Sequence, residues 1–134
     1  MRLSGPHRPV GAQSFVAATD PALDLDAVIG FYGTLDPDRI GFPFEMPAPL
    51  RHVSETRRPV LGLFGGADEL IPAEDIAAFD AGLSEAGIEH EVVAYPGAPH
   101  SFFDRSFTEH ADASADAWRR VLGFIDHIGA RAPA

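Results

Sequence analysis

Asp68 and His100 are the residues of this chain whose types and setting suit proton-transfer chemistry. Asp68 lies in Gly65-Gly66-Ala67-Asp68-Glu69-Leu70-Ile71-Pro72, just past the apolar run Val60–Phe64. His100 lies in Tyr95-Pro96-Gly97-Ala98-Pro99-His100-Ser101-Phe102, just past the run Glu91–Tyr95. A carboxylate beside an imidazole accepts a hydrogen bond from one ring nitrogen and fixes the tautomer. It then stabilises the imidazolium that forms when the other nitrogen takes a proton. Spacing alone leaves a second account open: Asp68 caps the helix that starts near Pro72, and His100 bonds loop backbone. His7, His52, His90, His110 and His127 show no pair at metal-ligand spacing and read as solvent-exposed or capping histidines.

The elements that must position the pair are short. Ala27–Tyr32, Val60–Phe64 and Glu91–Tyr95 read as strands, the first two apolar on both faces, as in a parallel sheet covered by helices on each side. Each run meets Gly33, Gly65-Gly66 or Pro96-Gly97, where a tight turn out of the sheet demands unusual dihedrals. Between the second and third runs, Pro72, Glu74 and Asp75 suit a helix start, Ile76, Phe79 and Leu83 recur at helical spacing, and Gly87 is placed to stop the helix. Val60–Tyr95 is therefore a βαβ unit. Consecutive strands of such a unit are usually neighbours, about 4.8 Å apart, so Asp68 and His100 leave from one carboxyl edge.

A final helix is expected over about Asp112–Ile128, with Ala115, Trp118, Leu122 and Ile125 on one face, and a shorter one begins near Ala12. Gly33–Arg58 carries Pro37, Pro43, Pro47 and Pro49 with Phe42, Phe44 and Met46. It reads as a structureless excursion, either a lid over a site or a surface cover for the sheet.

Composition narrows the classes. The length of 134 residues suits one domain over 1–134, with 1–11 atypical. A formal charge of −10 disfavours nucleic acid, and Arg57-Arg58 and Arg119-Arg120 read as solvated surface charge. With 0 cysteines there is no disulfide framework and no thiol nucleophile. No apolar stretch approaches the ~20 residues of a spanning helix, and Met1–Val10 lacks a signal-like run; a soluble, cytoplasmic protein with no membrane partner is the expectation. Gly65-Gly66 is too short a match for a phosphate-binding G-x-G-x-x-G, which counts against a flavodoxin-like nucleotide binder.

From Asp26 onward the chain resembles the C-terminal half of the dienelactone hydrolase family. The matching pieces are Val28-Ile29-Gly30-Phe31-Tyr32-Gly33, Gly65-Gly66-Ala67-Asp68 with Ile71-Pro72, and Gly97-Ala98-Pro99-His100-Ser101-Phe102. The resemblance implies a partial α/β-hydrolase fold, a three-stranded, mostly parallel sheet flanked by helices. It implies Asp68 as triad acid and His100 as general base. It also implies cleavage of small carboxylic esters or lactones through an acyl-enzyme, with no metal or organic cofactor. Arg105 falls near, though one residue off, a family arginine that holds an anionic substrate; the other reading is a surface arginine paired with Asp104 or Glu109. Tyr32, ending its strand, either lines the site or serves as a core or rim aromatic.

One departure is as informative as the match. The family nucleophile sits on a G-x-C-x-G or G-x-S-x-G elbow, and the corresponding slot falls near Arg8, in Pro6-His7-Arg8-Pro9-Val10. Prolines there cannot sit in a central strand. Ser14 would lie inside the following helix, Ser4 lacks an elbow, and Ser101 is a loop hydrogen-bonder. Two functions from different classes follow. One is a dienelactone-hydrolase-like ester hydrolase; the other is a truncated, non-catalytic hydrolase half acting as a binding or oligomerisation module. In the second, the open edge of the Ala27–Tyr32 strand invites a homo-oligomer or a complementing N-terminal hydrolase half.

Overall fold

The computed structural model describes residues 10–38, 41, 48–100, 102–103 and 108–131. In chain order the elements are α1 (Val10–Ala17), β1 (Val28–Phe31), a 3₁₀ helix (Pro49–Glu55), β2 (Val60–Gly65), α2 (Ala73–Glu85), β3 (His90–Tyr95) and α3 (Ala111–Arg131). The strands form one 3-stranded sheet in the order β1-β2-β3, parallel throughout, where the sequence led us to expect a mostly parallel one. Val28 lies opposite Val60, and Gly65 lies opposite Tyr95.

The central strand explains the layering. Every residue of β2 is buried, and its side chains alternate between two cores. Val60 and Phe64 join Phe15, Val28, Phe79 and Leu83 on the side of α1 and α2. Leu61 and Leu63 join Tyr95, Phe102, Ala117 and Val121 on the side of α3. Each fully buried apolar side chain contributes on the order of 1.5–3 kcal/mol, so the two cores fix β2 between helical layers. In α2, Ile76, Phe79 and Leu83 are buried at the spacing the sequence predicted, and Glu74 and Asp75 occupy the first turn, where the helix dipole favours carboxylates.

Two expectations need correction. Gly33–Arg58 is not structureless, because Pro49 opens a 3₁₀ helix and the Leu50 N–H donates to the Leu35 carbonyl at 3.0 Å. Leu35 is fully buried, and Leu50 and Val53 pack on the α1/α2 core, so the described part of this segment covers the sheet. Phe42, Phe44 and Met46, the groups that suggested a lid, lie outside the described residues. The apolar stripe on α3 is also displaced. Ser114, Ala117 and Val121 face the sheet, while Trp118, Leu122 and Ile125 are exposed. Ser114 and Ala117, the small side chains of the inward face, are both fully buried. No helix among the described residues is long and apolar enough to cross a membrane.

Candidate active site

Parallel pairing of β2 with β3 delivers the two turns that follow them to one edge. The turns are laced by backbone hydrogen bonds. Gly66 N–H donates to the Tyr95 carbonyl at 2.7 Å, and Ala67 N–H donates to the Ala98 carbonyl at 3.0 Å. Their closeness depends on Gly65, since a Cβ there would lie 2.4 Å from the Ala98 oxygen and 2.7 Å from the Pro99 oxygen. Gly65 is thus required for space, where the sequence suggested unusual dihedrals. Gly97 does take a left-handed φ of +76°. After β1 the left-handed position is Tyr32 itself, at φ +37°, rather than Gly33.

Within this frame Asp68 and His100 meet. His100 Nδ1 and Asp68 Oδ2 are 2.6 Å apart. The Asp68 side chain is fully buried, whereas that of His100 is 39% exposed. Asp68 Oδ1 accepts the Leu70 N–H at 2.9 Å, and Ile71 N–H donates to the Asp68 carbonyl at 3.3 Å. Both carboxylate oxygens are therefore engaged, one holding the turn and the other holding the ring. Because an ionised carboxylate only accepts, Nδ1 is the donor, and the Nε2 lone pair is left for a proton. The alternative in which Asp68 caps α2 does not describe its position: the residue before α2 is Pro72, and no side chain caps that end.

Tyr32 is brought to the same place. Its ring centroid lies 5.2 Å from that of His100 and 5.7 Å from that of Phe102, which in turn lies 5.3 Å from Tyr95. Phe102, just beyond His100, is fully buried and anchors the loop that carries the base. Arg105, Ser101, Ser4 and the slot near Arg8 lie outside the described residues.

A polar cluster flanks the site and was missed by the sequence reading, which took Arg119-Arg120 for solvated surface charge. Tyr95 Oη donates to Asp116 Oδ2 at 2.6 Å, Arg120 Nε donates to the same oxygen at 2.6 Å, and Arg120 also pairs with Glu91. The Tyr95 hydroxyl, Arg120 and Arg119 hold the Asp116 carboxyl down, from 3.8 to about 2. Burial, followed by Asp116, pushes the Tyr95 phenol well above its ordinary value, so it remains a donor. The Asp116/Arg120 spacing of four residues on a helix was the one local signal of this cluster. His90 is corrected too: its side chain is 15% exposed, with Nδ1 2.7 Å from the Ile88 carbonyl and Nε2 3.0 Å from Asp80. Among the described residues no group of three or more His, Cys, Asp or Glu is arranged to hold a metal.

The dienelactone hydrolase family model matches residues 10–129. The chain belongs to the dienelactone hydrolase family. A Yersinia pestis protein provisionally named a carboxymethylenebutenolidase is 34% identical over 117 residues, which are 87% of this chain and 42% of that protein. A Saccharolobus solfataricus protein of the same provisional name is 34% identical over 126 residues, 88% of this chain and 41% of that one. The crystal structure of a Klebsiella pneumoniae protein, provisionally named a dienelactone hydrolase, superposes with a TM-score of 0.71 at 28% identity, covering 87% of this chain and 48% of that one. Apo Thermogutta terrifontis esterase 2 gives 0.62 at 26% identity, over 86% of this chain and 49% of that one. The sheet and its helices are thus part of an α/β-hydrolase fold, and the chain spans less than half the length of the curated relatives it matches.

Proposed function

We propose that this chain carries the acid and base of an acyl-transfer triad acting on small carboxylic esters or lactones. The observation that carries the reading is the 2.6 Å contact between fully buried Asp68 and half-exposed His100 at the carboxyl edge of a parallel sheet. His100 Nε2 takes the proton of a nucleophile as that group attacks the ester carbonyl, and Asp68 stabilises the imidazolium. The same proton then goes to the leaving alkoxide. Water, deprotonated by His100 in turn, releases the acid from the acyl-enzyme. Proton transfer by a positioned base of this kind is worth roughly 10²–10⁴-fold. Tyr32 forms the wall beside His100, and Arg105 is the candidate contact for an anionic substituent. The proposal calls for no metal or organic cofactor. It predicts that the full chain hydrolyses p-nitrophenyl acetate and that His100→Ala lowers turnover at least a hundredfold; equal turnover in the two proteins would remove it.

A second reading, a hydrolase half without turnover of its own, is favoured by one specific observation. The elbow slot near Arg8 has neither serine nor cysteine, and the chain has 0 cysteines in all. A stoichiometric burst of p-nitrophenolate marks an acyl-enzyme and excludes this reading. No burst and no turnover, in the parent chain as in His100→Ala, establishes it.

A further inference from the structure

Tyr95 ends β3, opposite Gly65 on β2, and its carbonyl serves both turns at the sheet edge. It accepts the Gly66 N–H at 2.7 Å, on the way to Asp68, and the Ala98 N–H at 3.2 Å, on the way to His100. Gly66 is fitted to that oxygen, since a Cβ there would lie 2.8 Å from it. The ring of Tyr95 meets the far end of the same loop. Its centroid lies 5.3 Å from that of Phe102, at an interplanar angle of 58°, and both residues are buried. One residue thus holds the segment that carries His100 at both of its ends.

The ring is itself held from the other side. Tyr95 Oη donates to Asp116 Oδ2 at 2.6 Å, the length of a charge-assisted O–H···O⁻ bond, which is roughly twice as strong as a neutral one. The same oxygen accepts Arg120 Nε at 2.6 Å, and Arg119 donates to the other carboxylate oxygen. Arg120 also reaches Glu91 on β3, so Asp116 is fixed on three sides and cannot follow the hydroxyl if the ring moves. The Tyr95 hydroxyl, Arg120 and Arg119 hold the carboxyl down at about 2, which keeps the acceptor ionised at neutral pH. A phenylalanine would fill the same apolar space beside Phe102. What the hydroxyl adds is a fixed direction for the ring.

We infer that Tyr95, tethered by Asp116, is a positioning residue that ties the His100 loop to α3 and so keeps His100 Nδ1 on Asp68. The inference rests on the reading of Asp68 and His100 as acid and base. Without the tether the ring is free to turn about its Cα–Cβ bond, and Phe102 loses the surface it packs against. The Tyr95 carbonyl then holds the two turns with less constraint from the side chain. A displacement of about 1 Å at a catalytic group is enough to cost on the order of 10²-fold in rate, so a bond remote from the proton transfer can still govern it.

Tyr95→Phe in the full chain removes the hydroxyl and keeps the ring, so its circular dichroism should match that of the parent. Two readouts separate positioning from general support: the neutral tautomer of His100 by proton-coupled nitrogen NMR, and amide hydrogen exchange in the two turns. In Tyr95→Phe the ratio of Nδ1-protonated to Nε2-protonated His100 should fall several-fold. The Gly66 and Ala98 amides should exchange roughly tenfold faster. Asp116→Ala should do the same, and adding Tyr95→Phe to it should change little further, because the two residues share one bond. A hydroxyl that only holds α3 on the sheet would speed exchange at Ala117 and Val121 and leave Gly66, Ala98 and the tautomer as in the parent. That result overturns the inference, as does an effect of Tyr95→Phe that persists in full beside Asp116→Ala. A parent whose His100 carries no proton on Nδ1 removes the acid–base reading and this inference with it. Failure of the inference alone leaves the parental Nδ1 proton in place.

Discussion

Gly65→Ala is the substitution most telling for how the base is positioned. An added Cβ would sit 2.4 Å from the Ala98 oxygen and 2.7 Å from the Pro99 oxygen. Ordinary carbon–oxygen contacts begin near 3.3 Å, so the backbone at 98–99 must retreat by roughly 0.9 Å. Both obstacles are main-chain atoms that cannot rotate away, and the Ala98 oxygen also accepts the Ala67 N–H at 3.0 Å. Overpacking costs about 1–3 kcal/mol and a strained hydrogen bond about 1 kcal/mol, against a gain of about 0.4–1 kcal/mol from the stiffer unfolded chain. The net is a loss of about 2 kcal/mol, or roughly 7 °C in Tm for a chain of this size. Urea and thermal unfolding measure that loss, and the proton spectrum of His100 reports whether its contact with Asp68 at 2.6 Å survives. A variant with parental Tm and an unchanged His100 signal would refute the close approach of the two turns, and with it the reason Asp68 and His100 meet.

Two further outcomes follow from the packing and the flanking cluster. Leu63→Ala, at a fully buried position of the α3-side core, should cost about 2–5 kcal/mol by urea denaturation. Asp116→Asn should destabilise the fold by on the order of 1 kcal/mol near neutral pH, because the carboxyl loses its charged contacts with Arg120 and Arg119 at a partly exposed site. Since the folded carboxyl titrates at about 2 and the unfolded one near 3.8, this contribution is complete above pH ~4 and fades as pH falls toward 2. The gap between the two proteins should therefore shrink as pH falls from 4 to 2, and a gap undiminished at pH 2 would contradict the assignment.

Legibility in the sequence depended on how local each signal was. Val60–Gly65 is buried on both faces, so its unbroken apolar run reads as a central strand. α2 repeats Ile76, Phe79 and Leu83 on one side and is equally plain. In α3 two stripes have helical spacing, Trp118/Leu122/Ile125 and Ala117/Val121/Phe124, and periodicity does not say which meets the sheet. Packing chose the second, which joins the core around Leu61, Leu63 and Tyr95. Asp68 and His100 were legible because each follows its own strand. The Tyr95–Asp116–Arg120–Glu91 cluster was not, since its bonds join residues 21 and 29 positions apart. The left-handed Tyr32, beside a glycine that would take that conformation more easily, is likewise imposed by tertiary structure.

The most direct measurement is the neutral tautomer of His100, read by proton-coupled nitrogen NMR on the full chain and on Asp68→Asn. A base poised for acyl transfer carries its proton on Nδ1, donated to Asp68, and leaves Nε2 unprotonated; in Asp68→Asn the proton should redistribute toward Nε2. A parent protein whose His100 holds its proton on Nε2, unchanged by the substitution, would contradict the assignment of Asp68 and His100 as acid and base.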